Sequence, residues 1–102
     1  MGYLVVRNLR GTAGGVCRHG SWLDHWYAFT GSNRILCSML GCGEVVDVGG
    51  HVLAVNRADW QHWIAPMCHA HNRSPHDWPI KSDVRLISAN TQLMGCYRQY
   101  AA

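Results

Sequence analysis

Two short pairs of metal-ligating residues stand closest to chemistry in this 102-residue chain. Cys37 and Cys42 flank Ser38-Met39-Leu40-Gly41, and Cys68 and His71 flank His69-Ala70. A tetrahedral zinc ion takes deprotonated sulfur and neutral imidazole, and two ligands joined by a tight turn supply half a site without long-range folding. The two pairs are separated by a span typical of zinc-stapled small domains, so the expected cofactor is Zn²⁺ held by Cys37, Cys42, Cys68 and His71. His69 is the competing imidazole. Two intervening residues suit a knuckle better than none, which favours His71, and His51 is a further nitrogen that could enter the sphere. The competing account of these residues is ordinary burial, with cysteines as small apolar side chains beside a hydrogen-bonded histidine.

Composition explains why a staple would matter. At this length the chain reads as one domain, 1–102, large enough for a core but not a generous one. Hydrophobic residues make up 48% and charged residues 15%, which favours folding, while 11 glycines imply many turns and short elements. Five Trp against one Phe supply large rings that fill a small core and keep their N–H near water. The start, Met1 to Asn8, lacks the basic region and apolar run of a secretory signal, and Val6 breaks the myristoylation pattern. No stretch is long and apolar enough for a membrane span. The expectation is a soluble, cytoplasmic protein whose five cysteines are thiols or metal ligands rather than disulfides. Cys17 and Cys96 are then left over as structural thiols, because Cys17-Arg18-His19 has no second pair to complete it.

Nine Lys and Arg against six Asp and Glu permit nucleic acid as a partner without demanding it. Arginines at 7, 10, 18, 34, 57, 73, 85 and 98 are scattered, whereas a strong nucleic-acid footprint is a stripe or block.

The elements that must position the ligands follow from local pattern. Residues 3–9 suit a short strand, ended by the glycine-rich run from Arg10 to Gly15. Ser21 as N-cap, Asp24 three residues on, apolar Trp22, Leu23, Trp26 and Tyr27 on one face, and Gly31 as the stop predict a helix, with His25 on its solvent side. Glu44–Val48 and His51–Val55 read as two strands about a Gly49-Gly50 turn, followed by a third strand over Trp60–Ala65 that Pro66 ends. A brief helix is expected over Cys68–Arg73, then a packed loop His76-Asp77-Trp78-Pro79, and a last strand over Asp83–Ile87.

Knuckle, hairpin, then a helix carrying the second ligand pair in its first turn resembles a treble-clef zinc fold of the HNH-like type. The runs Ser21-Trp22-Leu23-Asp24-His25-Trp26, Gly49-Gly50-His51-Val52, Trp63 to Asn72 and Leu86-Ile87-Ser88-Ala89-Asn90 resemble a family of small uncharacterised bacterial and phage proteins, over most of the chain. The implied fold class is α+β, a small treble-clef-like zinc-binding domain with a β-hairpin and short helices. In an HNH nuclease a histidine deprotonates water and a divalent ion stabilises the developing phosphate charge. The resemblance puts His51 at the general base and Asn72 at a metal-binding position. Gly50 and Trp63 depart from it, standing where polar residues are usual.

Three functions follow. The favoured one is a small zinc-stabilised binding module that contacts nucleic acid or a protein. The alternatives are a metal-dependent HNH-like endonuclease using His51, and an adaptor acting through protein contacts alone.

Overall fold

A computed structural model describes residues 3–9 and 17–97. The expected glycine-rich break over 10–15 and the residues Arg10 and Arg98 lie outside them. The elements are β1 (Val5–Asn8), α1 (Trp22–Thr30), β2 (Val48–Ala54), β3 (Trp63–Met67), α2 (His69–Asn72), β4 (Asp77–Pro79) and β5 (Ile87–Ser88). The strands form one antiparallel sheet in the order β4-β1-β2-β3-β5, an α+β architecture as expected.

α1 begins where its capping chemistry says it should. Ser21 Oγ accepts the Asp24 N–H at 3.1 Å and the Asp24 carboxylate accepts the Ser21 N–H at 3.1 Å, so two backbone donors are satisfied reciprocally. Gly31, at φ 66°, ends the helix by donating its N–H to the Tyr27 carbonyl. Trp26 is buried and donates its indole N–H to the Arg85 carbonyl at 2.7 Å. Around it pack Val6, Val52, Ile64, Met67, Met39 and Ile80, which join the sheet to the loop carrying the first cysteine pair. His25, expected at the surface, is fully buried instead, because β5 closes over that side of α1 and the Ser88 carbonyl bonds its ring.

Gly49-Gly50 is not a turn. β2 runs straight through both glycines, and the β2–β3 connection is the later turn around residues 55–59. The reason is close approach. A Cβ on Gly49 would lie 2.5 Å from the Leu23 nitrogen and 2.6 Å from the Trp22 carbonyl carbon, so the start of α1 rests directly on the strand. On the other face a Gly50 Cβ would meet the Met67 sulfur and the Asn72 side chain.

Residues 44–47 consequently lie outside β2, although Val45 forms a bridge with Leu36 and the Asp47 N–H bonds the Met67 carbonyl at 2.9 Å. Pro66 does not end β3. It sits inside the strand opposite Gly49, with its carbonyl turned away from β2 to accept from Ser38, so the absent N–H costs no ladder bond. The expected loop at 76–79 contains β4, and the last strand is only Ile87–Ser88 rather than 83–87.

Candidate metal centre

The knuckle loop is built by its own backbone and by neighbours. Gly41, at φ 79°, makes the tight turn, and the Cys42 N–H returns to the Met39 carbonyl at 3.0 Å. Ser38, fully buried, donates its hydroxyl to the Pro66 carbonyl at 2.6 Å, which ties the loop to β3. Lys81 donates its ammonium to both knuckle carbonyls, Cys37 at 2.8 Å and Cys42 at 2.6 Å. The second pair brackets the start of α2, with Cys68 as its N-cap residue and His71 within it, and the first helical N–H, from His69, is accepted by Asp47 Oδ2 at 3.0 Å. Asn8 Nδ2 donates to the His71 carbonyl at 2.6 Å, and Trp78 of β4 packs edge-on against the His71 ring at 4.6 Å.

These supports bring Cys37, Cys42, Cys68 and His71 together, with one donor atom from each lying within 4.8 Å of every other. His71 Nδ1 is 3.7 Å from Cys37 Sγ and 3.3 Å from Cys68 Sγ. Zinc–sulfur and zinc–nitrogen bonds of about 2.3 and 2.0 Å at tetrahedral angles require S···N edges of about 3.5 Å. The donor set therefore fits a metal ion of that size and preference. His69 points elsewhere and is exposed, which leaves His71 as the imidazole of this group. Burial pushes the Cys37 thiol up to about 11, against backbone hydrogen bonds from Cys68 and Met39 that favour the thiolate. A bound cation supplies the charge that ionises a coordinating thiol outright.

Asp47, Lys81, Asn8 and Trp78 escaped the sequence reading. Each acts across the chain from the ligand it supports, so no local spacing marks it. Lys81→Met should weaken metal binding about 10- to 100-fold, as loss of a group that orients a ligand commonly does, while leaving the sheet intact. Competition with a chelator of known affinity measures this, and an unchanged affinity would remove Lys81 from the site.

His51 and Asn72 are not brought together. Side chains alternate along β2, so His51 shares the α1 face with Gly49 and lies 4.6 Å from the Trp22 ring, whereas Asn72 lies across the sheet beside Gly50. Among the described residues neither His51 ring nitrogen has a hydrogen-bond partner, and the ring borders a cavity of about 450 Å³ with His62, Ser88 and Asn90. Burial, then the charges of His62 and His25, lower its pKa from 6.5 to about 4. The unfolded chain thus takes up a proton at this position below 6.5 while the fold resists until about 4. The contribution to stability is complete above the first value and is lost as pH falls toward the second. Replacing His51 with Gln should flatten that decline by about 2 kcal/mol at pH 5, read as the difference in urea midpoints between pH 7 and pH 5. Parallel declines in the two proteins would place the acid sensitivity elsewhere.

Cys17 and Cys96, expected as structural thiols, are both buried and stand side by side. Their sulfurs lie 2.9 Å apart, and with a ring nitrogen of His19 they form a second group able to hold a metal ion. Compared with family models, curated proteins and solved structures, the chain matches none.

Proposed function

We propose that the protein is a small zinc-stabilised binding module of treble-clef type, with Cys37, Cys42, Cys68 and His71 as the ligands. The observation that carries this is the convergence of these four donors within 4.8 Å of one another, from a loop and from the start of a one-turn helix. In a module of this kind the metal supports a surface rather than a reaction.

The surface best suited to contact is the turn between β2 and β3. Trp60 is 84% exposed there and is held at φ 54°, a conformation costly for a bulky residue. It borders a groove of about 550 Å³ lined also by Arg7, Arg57 and Asn56. An exposed ring beside guanidinium groups is the combination on which unpaired bases stack while phosphates are neutralised. Arg7 and Arg57 already pair with Asp77 and Asp59, which keeps the expected affinity modest.

Fluorescence anisotropy with a labelled single-stranded DNA oligonucleotide at low and moderate salt tests the reading. Binding should weaken with salt through counterion release, and Trp60→Ala should weaken it about 10-fold or more. Absence of binding at low salt would transfer the role to protein contact, for which Ile35, Leu36, Leu40 and Val45 stand exposed around the knuckle.

The endonuclease alternative has one observation in its favour, the unpartnered His51 ring in its cavity. Against it stands the separation of His51 and Asn72 by the sheet. Mg²⁺ or Mn²⁺ should therefore produce no nicking of plasmid DNA. Nicking that requires the divalent ion and disappears in His51→Ala, with metal content and fold retained, would establish the nuclease.

A further inference from the structure

We propose a second structural metal site, independent of the first, in which Cys17, Cys96 and His25 bind a zinc-like ion and His19 supplies the outer ligand. His25 Nδ1 lies 3.1 Å from Cys17 Sγ and 3.3 Å from Cys96 Sγ, and His19 Nδ1 lies 3.5 Å from Cys17 Sγ. Cys17, Cys96 and His25 are all buried, whereas His19 is exposed, with its ring edge-on to Phe29 at 5.4 Å. The donors come from the Cys17–Gly20 turn, from α1 and from the end of the described chain.

The backbone around them is prepared for such a site. The Cys17 carbonyl accepts the Gly20 N–H at 3.1 Å, closing a tight turn with Cys17 and His19 on it. The Arg18 N–H bonds the Cys96 carbonyl at 2.8 Å, and Cys17 bridges to Tyr97, so the two cysteines are held side by side. His25 Nε2 donates to the Ser88 carbonyl at 2.8 Å. That bond places the proton on Nε2 and leaves the Nδ1 lone pair facing both sulfurs, the arrangement by which a backbone carbonyl orients a metal-binding histidine.

The competing use of two adjacent cysteines is a disulfide. The sulfur separation of 2.9 Å lies between the 2.05 Å or so of that bond and the edge of about 3.8 Å between two zinc-bound sulfurs. His25 decides between them. A disulfide has no proton to offer, so it would leave the lone pair of a fully buried imidazole without a donor, whereas a metal ion uses that lone pair; a thiol proton also satisfies it, and metal content separates those two states. The ion would fasten residues 91–97, which belong to no helix or strand, to α1.

The test is metal analysis of protein purified without chelator, together with X-ray absorption of the bound metal. Two equivalents of zinc are expected in the wild type and one in Cys17→Ser/Cys96→Ser. The wild-type spectrum, which needs no variant to fold, should fit five sulfur and three nitrogen ligands over two ions, from three cysteines and His71 in one site and two cysteines, His19 and His25 in the other. One equivalent with three sulfurs and one nitrogen would overturn the proposal. So would a non-reducing mass lower by two hydrogens that maps to a Cys17–Cys96 disulfide. Retention of both equivalents in Cys42→Ser would count against the first site alone.

Discussion

Cys42→Ser should abolish the metal at the knuckle site and lower Tm by tens of degrees. Cys42 is half-buried, so a serine hydroxyl in its place meets water and the packing change is small. Cys37, with no exposed surface, would confound lost metal with a buried hydroxyl. Structural zinc in small domains contributes about 10–16 kcal/mol near neutral pH, comparable to or larger than the whole stability of about 5–15 kcal/mol of a folded domain. Each kcal/mol moves Tm by roughly 4–8 °C at this size. Thermal melts followed by circular dichroism, with and without chelator, make the comparison. A variant that melts with the wild type, or a chelated wild type that melts unchanged, would show that the four residues are packed rather than ligating.

The second large effect is expected at Gly49. In Gly49→Ala the new methyl would enter the backbone of α1 at Leu23 and Trp22, and backbone gives way only by moving the helix. A destabilisation of about 3 kcal/mol or more is expected, at the upper end of what overpacking causes. Gly50→Ala should cost less. Its close neighbours are the Met67 sulfur and the Asn72 amide, both at the ends of flexible side chains that can turn aside. Urea denaturation of the two variants measures the difference. Equal losses would mean that α1 is not seated on β2 as described.

The contrast between these glycines also marks where sequence reading reaches its limit. Ser21, Asp24 and Gly31 announced α1 correctly because a capping box and a left-handed stop act within the helix they bound. The knuckle and the Cys68/His71 pair were legible for the same reason, since each half-site is local. Gly49-Gly50 carries the same letters as a hairpin turn, and only the docking of a helix some 25 residues earlier distinguishes the two uses. β4 pairs with β1 alone among the described strands and is three residues long, too short for an alternation to register. The Cys17 and Cys96 group could not be foreseen from spacing at all. Its members are separated by 79 positions, and His25 joins them from the side of a helix whose apolar stripe points to the Trp residues.

The order of the sheet has a further consequence for how this protein meets others. Its outermost strands, β4 and β5, span three and two residues, and one carbonyl on each is taken from outside the sheet, Pro79 by the Leu40 N–H and Ser88 by the His25 ring. An open strand edge is a template on which another chain can add itself, by recruitment or by aggregation. Among the described residues both margins are short, and each has a carbonyl already taken. Among the described residues an added strand would find at most three residues to pair with at the β4 margin and two at the β5 margin.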